Sequence, residues 1–175
     1  MRAMDVQGNH RNSSVYGWRD WTGITWHMGI DLVGYGGIAT EGRQVVSPFT
    51  GSVVWIRRNA EGFGNSIVIR YDDHATGQYY FVRYMHFQDF AHREDIHGNA
   101  TTPLAVDNII LAGDVVGRVG GTGGSRTFDP HLHMEVFRRS TPRFIDFQAE
   151  VAHRSNSIDP RAFYSPNFAE PWAYY

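Results

Sequence analysis

Histidines and one aspartate are the residues whose types and spacing suit this chain to metal chemistry. His131-Leu132-His133 stands near the C-terminal end, and far earlier His27 is followed four positions later by Asp31. In an extended strand, residues two apart share a face and sit roughly 7 Å apart, so His131 and His133 both look into one cleft. Imidazole nitrogens and a carboxylate oxygen are what a borderline-soft ion such as Zn2+ takes, at roughly 2.0–2.2 Å. His27, Asp31 and one histidine of the pair supply three ligands. Three leave the fourth tetrahedral position open for water, the arrangement of a catalytic rather than a structural zinc. Tyr84-Met85-His86 adds a further histidine at the expected end of a strand.

With nine histidines in 175 residues, two spaced by one is a weak motif alone, and bland roles as caps or half-buried edge residues compete with it. Context favours a fixed site. In HMGIDL, Gly29 allows a tight backbone while Ile30 and Leu32 enter the core. Pro130 restricts the residue before it and sets the approach to the histidine strand.

The elements that must position these residues are short strands. Apolar and β-branched runs bounded by Gly, Pro and Asn predict strands over Gln44–Ser47, Gly51–Arg58, Ser66–Tyr71, Tyr79–His86, Val115–Val119 and His131–Phe137. Pro48-Phe49-Thr50-Gly51 supplies one turn, and residues 72–77 close a hairpin. Tyr79–Val82 is apolar throughout and reads as buried on both faces, so a second layer is expected against the sheet. The fold class is therefore all-β: a mainly antiparallel two-layer domain with long loops around a groove and few or no long helices. Residues 88–109 read as a long loop with one helical turn near Asp89–Arg93, forming a wall of the cleft. Gly120–Ser125 reads as a second loop. It is not a phosphate cradle, because no Lys-Ser/Thr pair follows and the next element is a strand. From Phe144 onward, Ile158-Asp159-Pro160 and the aromatic tail read as a terminal segment packed on the domain.

The chain is one domain by length, able to bury roughly 70% of its unfolded surface. It has no cysteine, which removes disulfides, thiolate zinc sites and a cysteine nucleophile. Sixteen basic against eighteen acidic residues, with no run of like charge, argue against a nucleic-acid partner. No apolar stretch reaches the roughly 20 residues of a membrane helix. The start, MRAMDVQGNHRNSS, has no apolar core of a signal peptide. Either the protein acts where it is made, or the sequence is cut from a longer exported protein.

HMGIDL, YMHF and HLHMEV, in that order, resemble the zinc-dependent peptidoglycan endopeptidases of the lysostaphin type, the LytM-like peptidases. Connecting pieces agree: Tyr16-Gly17-Trp18-Arg19, Val45-Val46-Ser47-Pro48, Gly51-Ser52-Val53-Val54, Gly62-Phe63-Gly64-Asn65 and Gly113-Asp114-Val115-Val116-Gly117. The resemblance runs from about residue 14 to about residue 163 and covers almost the whole chain. It implies one Zn2+ held by His27, Asp31 and His133, with His131 and His86 acting on the chemistry. Strand geometry alone leaves the choice between His131 and His133 open. The resemblance further implies hydrolysis of peptidoglycan cross-links or stem peptides and a place in the cell envelope, periplasmic or secreted. The residues 88–109 are longer than the usual connection in similar chains, which bears on substrate preference. His10, His74, His92, His97 and His153 read as solvated, with His92 or His97 the nearest candidates for touching substrate.

Two other readings compete. A LytM-like domain can serve as a non-catalytic wall-binding or hydrolase-activating module, although such modules usually lack part of the metal set. A cupin-type oxygenase also uses H-x-H on a strand, but it wants a further histidine on a later strand, and His153 lies outside any strand pattern.

Overall fold

The computed structural model describes residues 10–14, 16–19, 25–34, 39–94, 100–144 and 156–164. Among these the chain is mainly strand: β1 (His10–Ser14), β2 (Gly17–Arg19), β3 (Thr25–His27), β4 (Gly29–Gly34), β5 (Gln44–Val46), β6 (Gly51–Ala60), β7 (Gly64–Asp73), β8 (Gln78–Phe90), β9 (His92–Glu94), β10 (Ala100–Pro103), β11 (Ile109–Ile110), β12 (Val115–Gly123), β13 (Arg126–Arg139) and β14 (Ser157–Ile158). One short helix, α1 (Pro160–Tyr164), follows. The all-β class expected from the turn-punctuated apolar runs is the class observed.

Ten strands form one antiparallel sheet, with β1-β4-β13-β12-β8-β7-β6-β11 as its main path. The sheet curls, so that β12 pairs with both β8 and β13 while β13 also pairs with β8 and β4. The strong alternation of β13 sorts its two faces. Leu132, Met134 and Val136 enter the main core with Ile30, Leu32, Ile67, Ile69, Val82 and Tyr84. His133, Glu135 and Phe137 lie on the opposite face, where Phe137 packs with Val68 and Phe81. Phe81 and Val82 are both buried, as expected of a strand covered on each side. Val45, Val116, Val119 and Ile110, from β5, β12 and β11 of the same curled sheet, belong to the same core.

Three expectations change. The predicted loop over residues 88–109 holds strand among its described residues: β8 continues through Phe90, and β9 and β10 form a small antiparallel pair of their own. No helical turn forms at Asp89–Arg93, because Asp89 and Phe90 pair with Arg118 and Gly117 and Phe90 is buried in the core. The glycine-rich stretch before the histidines is extended too, since β12 runs to Gly123 and leaves only a tight turn before β13; Gln88 and Phe128 lie directly against its glycines. The histidine strand starts at Arg126 rather than after Pro130. Pro130 sits where the β12–β13 register shifts, a place that tolerates its missing donor. Ile158 does pack on the domain, through β14 against β13, whereas residues 165–175 lie outside the described residues.

Candidate metal centre

β4 and β13 are direct neighbours, and their register sets Asp31 opposite His133. β3 ends at His27, and one residue later the chain enters β4, which returns Asp31 to the same place. The three side chains converge. Asp31 Oδ1 lies 2.7 Å from His133 Nδ1, His27 Nε2 lies 3.0 Å from His133 Nδ1, and His27 Nε2 lies 3.4 Å from Asp31 Oδ1. Zinc bonds of 2.0–2.1 Å in a tetrahedron put neighbouring ligand atoms about 3.3 Å apart, so the trio stands near the spacing such an ion takes, with the Asp31–His133 pair closer than that and needing to open slightly. One atom from each of the three could hold a metal. His131 stands just outside, its Nε2 3.8 Å from Asp31 Oδ1.

Gly29 is required by close approach. A Cβ there would run into the Met134 carbonyl and sit 2.8 Å from His133 Nε2. The absent side chain is what lets the His133 ring come this close to β4.

Charge follows from this packing. Burial alone would raise the Asp31 carboxyl, but its bonds to His133 and His27 outweigh that and hold it well below the usual carboxylate range. Burial alone would lower His133, yet the hydrogen bonds and negative charge of Asp31 and Glu135 raise it to about 9. The donor set of two imidazoles and one carboxylate matches zinc in kind and comes near it in spacing.

His86 reaches the site by an irregularity. Met85 lies across the ladder from His133 and so shares its face, while Tyr84 and Phe87 both enter the main core. Simple alternation would send His86 into that core as well. Instead the register between β7 and β8 slips between Asn65 and Ile67, and His86 takes φ 65°. Such a bulge re-aims a side chain, and a non-glycine residue in this region costs free energy that the surroundings must cover. They do so with a clasp. The Thr122 hydroxyl accepts from Asn65 N at 2.8 Å and donates to Phe87 O at 2.9 Å, and Asn65 Nδ2 donates to Phe87 O at 3.0 Å. Gly64, at φ 61°, makes room for it, since a Cβ there would collide with the Thr122 carbonyl.

The His86 ring lies 4.7 Å from His131 and 6.0 Å from His133, centre to centre, with Phe128 also 4.7 Å away. His86 Nδ1 lies 2.8 Å from Thr122 O, and His131 Nδ1 lies 2.7 Å from Asp129 O. A carbonyl can only accept, so each neutral ring carries its proton on Nδ1 and leaves Nε2 as a lone pair. Burial first, then the neighbouring His133 and His131, push His86 down to about 4. It is neutral at pH 7.

The structure thus brings together all five residues picked out in the sequence. His74 lies in the hairpin turn after β7, His92 is exposed in β9, and His97 and His153 lie outside the described residues. Sequence reasoning passed over Thr122 and Asn65, which hold the bulge, and Arg83 and Glu135, which stand behind His133. Glu135 was within reach, being two residues beyond His133 on one strand. Arg83 was signalled by being the single charge inside the apolar run of β8.

Known proteins share this fold. The catalytic domain of lysostaphin, an antimicrobial peptidase from Staphylococcus simulans, superimposes with a TM-score of 0.60 at 23% identity, over 89% of this chain and 92% of that one. The catalytic domain of the prophage-encoded M23 protein EnpA from Enterococcus faecalis gives 0.58 at 21% identity, over 87% and 90%. A zinc-containing peptidase from Vibrio cholerae gives 0.55 at 24%, over 81% of this chain and 39% of that one. At these identities the likeness is one of fold. No curated protein sequence matches the chain significantly. The model of Peptidase family M23 matches residues 25–145, a span that holds every residue of the site just described, and the chain belongs to that family.

Proposed function

We propose that this chain is a zinc-dependent endopeptidase that cleaves peptide bonds in bacterial peptidoglycan, at cross-links or stem peptides, as one domain of the cell envelope. The observation that carries the reading is the meeting of three ligand atoms, on His27, Asp31 and His133, with two further imidazoles beside them. A non-catalytic module would need neither extra histidine.

In this reading His27 Nε2, Asp31 Oδ1 and His133 Nδ1 hold one Zn2+. The ion supplies Lewis acidity, polarising a water and the scissile carbonyl. The chain's own residues do the rest. His131 and His86 present Nε2 lone pairs to the space beside the ligands, so one takes the proton of the attacking water and, as the imidazolium, returns it to the departing amine, while the lone pair of the other accepts a hydrogen bond from the water and aims it. Their carbonyl partners, Asp129 O and Thr122 O, fix ring orientation before substrate arrives. Phe128, beside both histidines, walls one side of the groove.

The test is digestion of purified peptidoglycans carrying glycine bridges or direct diaminopimelate–D-alanine cross-links, with new amino termini identified by mass. Release of such termini that is abolished by a chelator and restored by zinc is expected. Zinc-loaded protein that releases none from either wall type, yet still binds it, assigns the chain to the non-catalytic modules.

A further inference from the structure

Behind His133 lies a buried ionic pair that the reading above does not use. Glu135 Oε1 is 3.2 Å from His133 Nε2, the ring nitrogen turned away from Asp31 and His27. Across the β8–β13 ladder, Arg83 is the direct register partner of Glu135, with Nη1 3.3 Å from Glu135 Oε2 and both side chains under 5% exposed. Four rings, of Trp55, Phe63, Phe137 and Phe144, surround the guanidinium at 5.4–5.5 Å.

Stability does not account for this pair. Desolvating two ions is expensive, and apolar residues of similar volume usually serve a core as well or better. The aromatic cage here would suit an apolar side chain. What an apolar pair could not do is accept a hydrogen bond from His133. When Nδ1 faces a metal, the ring proton must reside on Nε2, and a carboxylate at that nitrogen fixes the tautomer, the ring plane and the donor strength of Nδ1.

We infer that Arg83 and Glu135 are positioning residues for the metal ligand His133: Glu135 accepts from His133 Nε2–H, and Arg83, locked among the rings, holds the carboxylate in place. The inference rests on the zinc reading of the site. It is distinct from a role in neutralising charge alone, in which Glu135 would exist only to serve Arg83.

Zinc affinity separates these, measured by competition with a chromophoric chelator on wild type, Glu135→Gln and the paired Arg83→Met with Glu135→Leu, beside thermal unfolding of each metal-free protein. The paired variant removes both charges and keeps the core apolar, so it reports on zinc even if Glu135→Gln folds poorly. Zinc binding about 10- to 100-fold weaker is expected in both, with the paired variant melting at or above the wild-type temperature. Zinc affinity within twofold of wild type in the paired variant overturns the inference while leaving the zinc site standing. A wild-type protein that binds no zinc overturns both.

Discussion

Replacing Gly29 by alanine should disable the metal centre from a residue that offers no ligand. The added Cβ would lie 2.8 Å from His133 Nε2 and 2.9 Å from the Met134 carbonyl carbon, with the carbonyl oxygen closer still. Favourable carbon contacts begin near 3.5 Å, so β4 and β13 must part by about 0.5–1 Å. Neither obstacle can swing away: the Met134 carbonyl is backbone within the β4–β13 ladder, and His133 is held by Asp31 and Glu135. Overpacking of this kind costs about 1–3 kcal/mol, or roughly 2–12 °C in melting temperature for a chain of this size. The ligand set suffers more, because metal sites tolerate errors of only about 0.2 Å and the strands that part carry Asp31 and His133. Zinc affinity should fall about tenfold or more. Ile30→Val, one residue along the same strand but facing the core, is the control. It should cost about 0.5–1.5 kcal/mol with zinc affinity unchanged. Competition titration and calorimetry on the three proteins decide the matter. Wild-type zinc affinity in Gly29→Ala, or an equal loss in Ile30→Val, would refute the close-approach argument.

Other outcomes follow from the same geometry. His27→Ala, Asp31→Ala and His133→Ala should each lose bound zinc and hydrolysis together, whereas His86→Ala should keep zinc by elemental analysis and lose about 100- to 10,000-fold in turnover; full activity in His86→Ala would remove that residue from the chemistry. Thr122→Val deprives Asn65 N of its partner while Asn65 Nδ2 still reaches Phe87 O. It should destabilise by about 1–3 kcal/mol and lower turnover through a misaimed His86, with zinc affinity intact; equal loss of zinc would mean that the bulge supports the ligands instead. The metal-free protein should gain stability as pH rises from about 4 to 6.5, because the unfolded chain takes up the His86 proton across that window and the fold refuses it. The gain approaches 3 kcal/mol as an order of magnitude. His133, raised to about 9, keeps its full contribution throughout that window and loses it only at higher pH. Denaturant unfolding of His86→Gln should therefore show a flatter slope between pH 4 and 6.5, and an unchanged slope would place the titration elsewhere.

How far the sequence could be read was set by the periods it obeys. β13 alternates without interruption from Leu132 to Phe137, so placing His131 and His133 on one face needed only the pleat of a strand, and the same count would have carried on to Glu135. The turn residues after Val46 and Asp73 marked the strand ends closely, because those turns are local. Residues 88–109 failed for the converse reason. Asp89 and Phe90 are strand because Arg118 and Gly117 pair with them, and no local preference of a charged, aperiodic stretch announces a partner so distant.

His86 is the sharpest case. Counted by twos from Tyr84 it belongs in the core, and a sequence reader who trusted alternation would discard it. It faces His131 and His133 because one residue is inserted into the ladder, and the insertion persists because Asn65 and Thr122, from two other strands, hold the backbone that it strains. An irregular backbone that simple relaxation would erase, kept in place by three strands, is expected where it serves chemistry. This separates His86 from the exposed histidines more firmly than distance does. His92 stands in β9 with no positive φ and no clasp, so replacing it by alanine should leave turnover within about twofold, as surface substitutions away from special features do, while Thr122→Val, which touches no substrate, should not.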